Sequence, residues 1–271
     1  MTIPLVVGLD GSEASLAAVD WAAAEAVRHG VPLHLVHVTA GDRDTSAVTA
    51  AAERVRRSAP ALPLTSEVLH GDPATALVGE GHDAFALVLG SRGLGDLDAL
   101  LLGSVGLAVA ARAECPVVVV RGAAGHREER PGSVVVGVEN GEGSGTAVAF
   151  AFREAEVRHC ELVVVHAWTA PLDAHATAQA PSWALEAHRR PPAQVLDDAL
   201  RGLTERYVDV PVTRRVVEGP ARRELLAAAS GADLLIVGAP RRHGHPGLQL
   251  GLVGHAMLHH APCPVAVVPR T

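Results

Sequence analysis

The stretch Val6-Val7-Gly8-Leu9-Asp10 returns 129 residues later as Val135-Val136-Gly137-Val138-Glu139. Each copy is a short apolar run that ends in an acidic residue, as a buried strand does where it enters a loop. A second match, Ala113-Glu114-Cys115-Pro116-Val117 with Ala261-Pro262-Cys263-Pro264-Val265, has an offset of 148 residues. Two offsets in one chain indicate an internal repeat whose second copy carries an insertion.

These matches divide the chain of 271 residues into two halves. We place one domain at 1–121, a short polar linker at 122–132 and a second domain at 133–271. The insertion falls after His166, near 168–192, in a stretch rich in Ala, Pro and His. Each half then has roughly the 100–150 residues typical of one domain.

Apolar runs alternate with segments of helical periodicity in both halves. The run from Pro4 to Leu9 is followed, from Ser12 to His29, by apolar residues at spacings of three and four. Either Ser12 or Asp10 is a candidate N-cap for this first helix, and Gly30 is expected to end it. Val- and Leu-rich runs between helices are typical of parallel sheets covered on both faces. The predicted fold is therefore α/β, with two tandem doubly wound, Rossmann-like domains of five parallel strands each.

Composition excludes several classes of partner. The net charge is −7, whereas proteins that bind nucleic acid need an excess of Lys and Arg. No apolar run approaches the roughly 18–20 residues that span a bilayer, and the first residues do not resemble a signal peptide. The three cysteines lack metal-ligand spacing, and we expect them to be reduced. We therefore predict a cytoplasmic protein without nucleic-acid or membrane partners.

A glycine-rich loop follows the fourth predicted strand of the first half. It reads Gly90-Ser91-Arg92-Gly93, then nine residues, then Gly103-Ser104-Val105. Gly90 and Gly93 carry no Cβ and allow the backbone to approach a bulky anion. Gly103 and Ser104 begin a helix whose free N–H groups favour phosphate. The alternative is that the glycines form a plain turn and Ser104 is an ordinary cap.

Asp10 follows the first strand, at the edge where ligands of open α/β sheets bind. A carboxylate is a poor neighbour for phosphate but a good acceptor for ribose hydroxyls or an adenine amine. The backbone of Val38, at the end of the second strand, suits an adenine edge. A nucleotide lying across the strand ends satisfies both this acid and the glycine-rich loop.

These motifs together resemble the universal stress protein family. The resemblance rests on the spacing of the glycine-rich loop, on Gly8 to Ser12, on Leu35 to Val38 and on Cys115 to Val120, and it covers nearly the whole chain. It implies sheets of strand order 3-2-1-4-5 with ATP, with or without Mg²⁺, between strands one and four. The adenosine would contact Gly8, Leu9, Asp10 and Val38, and the ribose and phosphates would contact Gly90, Arg92, Gly93, Gly103, Ser104 and Val105.

The resemblance also implies assembly and a biological role. Members pair through the last strand, so the two halves are expected to form an internal pseudo-dimer, and a homodimer of whole chains is a further possibility. The implied role is regulation in the stress response, in which nucleotide binding alters contact with an unknown protein partner.

The second half departs from this pattern. Glu139 stands where Asp10 does, Arg241 replaces the second glycine of the loop, and Leu252 follows Gly251 in place of the serine. We expect this half to bind ATP weakly or not at all.

Two alternatives remain open, a slow ATPase and an interaction protein that binds no nucleotide. The loop has no Gly-Lys-Ser/Thr, and its acids Asp96 and Asp98 suit a solvated surface as well as Mg²⁺. We therefore assign no catalytic residues. His255 and His259 lie four apart on one helix face without an apparent third ligand, so no metal site is predicted.

Overall fold

The fold is described from a computed structural model of the chain. The structure describes residues 3–41, 44–91, 102–121, 132–139, 144–169, 191–240 and 250–270. The predicted linker up to residue 131, most of the predicted insertion, and the loop residues Arg92, Gly93 and Arg241 lie outside these ranges.

The first half alternates strands and helices as the periodicity predicts. Its elements are β1 (Leu5–Leu9), α1 (Glu13–His29), β2 (Leu33–Thr39), α2 (Ser46–Ser58), β3 (Leu64–His70), α3 (Pro73–Glu80), a 3₁₀ turn (Gly81–Asp83), β4 (Ala86–Gly90), α4 (Ser104–Ala110) and β5 (Val117–Val120).

The second half repeats this plan. Its described elements are β6 (Ser133–Gly137), α5 (Gly145–Arg158), β7 (Glu161–Trp168), α6 (Pro192–Leu200), α7 (Leu203–Arg206), β8 (Val212–Glu218), α8 (Ala221–Ala228), β9 (Leu234–Ala239), α9 (Leu252–His260) and β10 (Val265–Pro269). α6 and α7 are separated at Gly202, whose φ is 72°.

The two halves share one sheet of ten strands, in the order β3-β2-β1-β4-β5-β10-β9-β6-β7-β8. Within each half the strands pair in parallel, and each half has the order 3-2-1-4-5 that the family resemblance implies. The prediction of an α/β fold with two Rossmann-like domains is confirmed.

The halves join through their last strands, which pair antiparallel. Val118 lies opposite Ala266, its equivalent in the repeat, so a local two-fold axis passes between these two residues. This is the symmetry of an isologous dimer contact formed within one chain. Because the central pairing is antiparallel, the carboxyl ends of the strands lie at opposite edges of the sheet in the two halves. The predicted internal pseudo-dimer is therefore the architecture of the chain.

Apart from the largely exposed edge strands β3 and β8, the strands are covered on both faces because successive side chains alternate between two apolar layers. On one face, Leu5, Val7 and Leu9 of β1 join the cluster that includes α1, α2 and α5. On the other, Val6 of β1 joins the cluster that includes α3, α4, α8 and α9. Because both faces of such a strand are buried, consecutive residues must be apolar, and this explains the continuous apolar runs in the sequence.

Helix α1 begins and ends at residues that cap it. The Ser12 hydroxyl accepts a hydrogen bond from the Ser15 N–H at 3.2 Å, which makes Ser12 the N-cap. Gly30 ends the helix in the left-handed region with a φ of 63°, as predicted. The equivalent residue after α5 is His159, which adopts a φ of 51° despite its side chain.

Candidate functional site

Strand pairing brings the predicted adenosine-binding residues to one edge of the sheet. β1 lies between β2 and β4, with Leu9 opposite His37 and Gly8 opposite both Val36 and Leu89. Asp10 directly follows β1, Val38 lies in the last part of β2, and Gly90 ends β4. The strand order reverses between β1 and β4, and open α/β sheets bind ligands at the carboxyl ends of the strands beside such a reversal.

Asp10 forms a turn that leads into α1. Its Oδ1 accepts a hydrogen bond from the Ser12 N–H at 3.0 Å, and its own N–H lies 3.4 Å from the Ser15 hydroxyl oxygen. The carboxylate is therefore placed by the backbone at the end of β1 and is only partly buried. Each carboxylate oxygen can accept more than one hydrogen bond.

The end of β4 and the start of α4 are held together by backbone hydrogen bonds. The Gly103 N–H donates to the Ser91 carbonyl at 2.9 Å, and the Ser91 N–H donates to the Val120 carbonyl at 3.0 Å. Gly103 is the N-cap of α4 and has no side chain with which to cap the first turn. Ser104 is exposed beside it, so both N–H donors and a hydroxyl lie at this corner.

Two glycines of the predicted site also have a packing role. A Cβ on Gly90 would lie 2.6 Å from the Ala14 carbonyl oxygen, so β4 passes directly against the first turn of α1. A Cβ on Gly8 would meet Leu89 at 2.6 Å and Leu77 at 2.9 Å. Close packing is sufficient reason for glycine at both positions. Any contact of these residues with a ligand is through their backbone.

Of the remaining residues predicted to contact the ribose and phosphates, the structure describes only Val105. Val105 is half-buried in the first turn of α4 and packs against the second apolar cluster. Arg92 and Gly93 lie outside the described residues.

The second half presents a different surface at its own strand ends. Arg270, directly after β10, pairs with Glu139, the counterpart of Asp10. A Cβ on Gly238, the counterpart of Gly90, would lie 3.0 Å from Nε of Arg270. The Arg270 side chain therefore lies over the end of β9 and holds the acid that would meet an adenosine.

The position of Arg270 was not predicted from the sequence, although comparison of the two repeats could have indicated it. Residue 122, which has the same offset as Arg270 in the first half, is a glycine and has no side chain to place there. Leu252, at the position of Ser104, is 92% exposed and offers no hydroxyl to a phosphate.

A cluster of ionisable residues is buried between α1 and α5, where the two halves meet. Glu25 and Glu154 are repeat equivalents, as are His29 and Arg158. The Arg158 guanidinium lies 2.7 Å from Glu25 and also pairs with Glu154, while His29 Nε2 lies 3.2 Å from Glu154. Arg28 pairs with Glu25 from the rim. The cluster thus links the two halves across the local two-fold axis.

The cluster is better described as an ion-pair network than as a metal site. Within the described ranges, Glu25, His29 and Glu154 form the one group of such residues whose ligand atoms all lie within 4.8 Å of one another. Arg158 already supplies the positive charge that a cation would bring. Burial raises the pKa of Glu25, and this effect is larger than the opposing effect of the Arg158 charge, which lowers it. Burial opposes ionisation of Glu154 too, but His29 and Arg158 outweigh it and its pKa is lowered.

Among the described helices, none combines the length and apolar character that a membrane span requires.

Comparison with known proteins agrees with the architecture. The model of the universal stress protein family matches residues 1–121 and again 132–269. Universal stress protein Rv2005c of Mycobacterium tuberculosis is 35% identical over 98% of this chain and 97% of its own length. Universal stress protein Rv2623 of the same organism is 31% identical over 98% and 96%. The crystal structure of a universal stress protein from Archaeoglobus fulgidus superposes with a TM-score of 0.70 over the full length of both chains, at 17% identity. The chain is therefore a tandem member of the universal stress protein family.

Proposed function

We propose that the protein is an ATP-binding regulatory protein of the stress response, and that its first half holds the nucleotide. The adenosine lies at the ends of β1 and β2, where Asp10 and the Val38 backbone offer acceptors and a donor. The phosphates lie at the start of α4, with or without Mg²⁺. The proposed setting is the cytoplasm, which suits three cysteines that are all buried and unpaired.

The observation that carries this proposal is the start of α4 beside the end of β4, where the N-cap residue is a glycine. The Gly103 N–H donates to the Ser91 carbonyl at 2.9 Å, which joins the helix start to the end of β4. The N-cap has no side chain, and the Ser104 hydroxyl is exposed. Helix N–H groups and a hydroxyl in this arrangement favour phosphate oxygens.

The second half is proposed to bind no ATP. Arg270 lies over Gly238 and pairs with Glu139, where the first half has Gly122 and Asp10. The pair itself contributes little energy, because the Glu139 side chain is 69% exposed. Its effect is steric, since the guanidinium fills space that an adenosine would need.

The regulatory role follows from the same arrangement. A ligand that binds one state of the first half stabilises that state and any contact surface that belongs to it. The proposed partners are a second copy of the chain or another protein, recognised differently in the two states.

The first experiment identifies the nucleotide. The full chain is purified, denatured and centrifuged, and the supernatant is separated by ion-exchange chromatography. Recovered ATP, at about one per chain, supports the proposal, and recovered ADP or AMP indicates turnover by a slow ATPase. If the chain carries no nucleotide and does not bind added ATP, the proposal fails. Two ATP per chain would refute the assignment of the second half.

Matched variants then test the individual contacts by calorimetric titration with ATP. Ser104→Ala removes an exposed hydroxyl, and we expect affinity to fall about threefold to tenfold, the value of one hydrogen bond. Leu252→Ala is the repeat-equivalent control and leaves ATP binding unchanged. Asp10→Asn keeps the acceptor for the Ser12 N–H but removes the charge, and it should weaken binding more than Glu139→Gln does.

A further inference from the structure

The second half contacts the start of α4 through one histidine. The backbone N–H of Leu102 donates a hydrogen bond to Nδ1 of His259, at 3.2 Å. Leu102 is buried and directly precedes Gly103, the N-cap of α4. His259 lies in the last turn of α9, which belongs to the other half of the chain. This hydrogen bond therefore joins the two halves at the residue that leads into the proposed phosphate site.

A second contact holds the same turn of α9 against the first half. The Arg121 guanidinium donates to the carbonyl oxygen of Leu258, which directly precedes His259. Arg121 follows β5, whose last residue, Val120, accepts the Ser91 N–H. The last turn of α9 is thus fixed beside both segments that form the corner between β4 and α4.

The hydrogen bond to Leu102 requires a particular protonation state. Nδ1 of His259 accepts from an N–H group only while it carries no proton. Partial burial lowers the pKa of His259, and the charges of Arg121, His255 and His260 lower it further. At neutral pH the ring is therefore an acceptor. Below the ordinary histidine pKa of roughly 6.5, protonation would place two N–H groups against each other.

We propose that His259 is a positioning residue for the nucleotide site of the first half. Its unprotonated Nδ1 holds Leu102 and the start of α4 in the binding geometry, and protonation in acid releases them. A released helix start must be ordered again when a ligand binds, so ATP affinity falls on acidification. This inference rests on the proposed function, because ATP is the ligand whose affinity reports the position of the helix start.

The test uses three variants of the full chain. His259→Asn keeps an acceptor oxygen at the position of Nδ1 but does not titrate, whereas His259→Leu removes the acceptor. His255→Asn, one turn earlier on the same helix, is the matched control. Each variant and the original protein are compared at about pH 8, above the ordinary histidine pKa, and at about pH 5, well below that ordinary value. Because ATP titrates in this range too, affinities are read as ratios between proteins at one pH.

The first readout is hydrogen exchange of the Leu102 amide without nucleotide. At the higher pH we expect exchange about threefold to tenfold faster in His259→Leu than in the original protein, the value of one hydrogen bond. At the lower pH the original protein should lose this protection relative to His259→Asn. Equal protection in all proteins at both values of pH would overturn the proposal.

The second readout is ATP affinity in the same proteins. Relative to His259→Asn, the original protein should bind about threefold to tenfold more weakly at the lower pH and equally at the higher pH. The control His255→Asn keeps the His259 acceptor and should match the original protein at the higher pH; at the lower pH it should bind no more tightly than the original protein, because His255 lowers the pKa of His259. If exchange at Leu102 changes but the affinity ratios do not, the effect on the nucleotide site is refuted. If no protein binds ATP, the proposed function fails, and the exchange data alone decide whether His259 positions Leu102.

Discussion

Gly90→Ala tests whether the end of β4 and the first turn of α1 are as close as the structure shows. The added Cβ would lie 2.6 Å from the Ala14 carbonyl oxygen and 2.9 Å from the Ser15 nitrogen. Carbon atoms in ordinary contact lie about 3.5–4.0 Å apart. These obstacles are backbone atoms, which cannot rotate away, so β4 or α1 must move. Overpacking costs about 1–3 kcal/mol in general, and we expect about 3 kcal/mol here.

The repeat supplies a matched control for this substitution. In Gly238→Ala the Cβ would lie 3.0 Å from Nε of Arg270, the far end of a flexible side chain, and 3.5 Å from Cβ of Ala147. We expect a loss of at most about 1 kcal/mol. In thermal unfolding of the full chain, Gly90→Ala should lower Tm by roughly 6–12 °C and Gly238→Ala by no more than about 4 °C. Equal losses in the two variants, or no loss at Gly90, would refute the reasoning.

Three further predictions concern stability and reactivity. His159→Gly should stabilise the protein by about 1 kcal/mol in urea unfolding, because its φ of 51° favours glycine, whereas Gly30→Ala should destabilise it by a similar amount. Arg158→Met should cost about 3–5 kcal/mol by the same assay, since it leaves two buried carboxylates without their shared cation, and an unchanged stability would contradict this account. Burial raises the pKa of Cys115 to about 11 and that of Cys263 to about 12, so neither thiol should react with a maleimide at neutral pH until denaturant is added.

The sequence predicts the strands and helices and their order along the chain because both are encoded in local patterns. Burial on both faces demands unbroken apolar runs such as Val117–Val120, and helical periodicity marks the segments between them. The offsets between repeats then extend the prediction from one half to the other. The antiparallel join between β5 and β10 is different. It leaves no local pattern in Val265–Pro269, and only the family resemblance indicated it.

The cluster between α1 and α5 could not be predicted from either helix alone. Glu25, His29 and Arg158 are residue types that normally face water, and a helical pattern places them on a solvated surface. They are buried because the local two-fold axis brings α1 against α5. Arg270 was overlooked for a similar reason, since it follows the last strand and meets Glu139 only after the sheet has formed.

The two halves share one fold but differ in the residues that follow their strands. The fold and the ligand-binding residues can therefore vary independently of each other. Each sheet needs only apolar strands and helices, which both copies keep. The antiparallel join places the end of α9 beside the strand ends of the first half, while the strand ends of the second half lie at the opposite edge. Under the proposed function, a second half that binds no ATP would still contact the first, because His259 reaches Leu102 from the edge opposite its own strand ends. The contact depends on the shared sheet, so the two halves would lose it if they were separated.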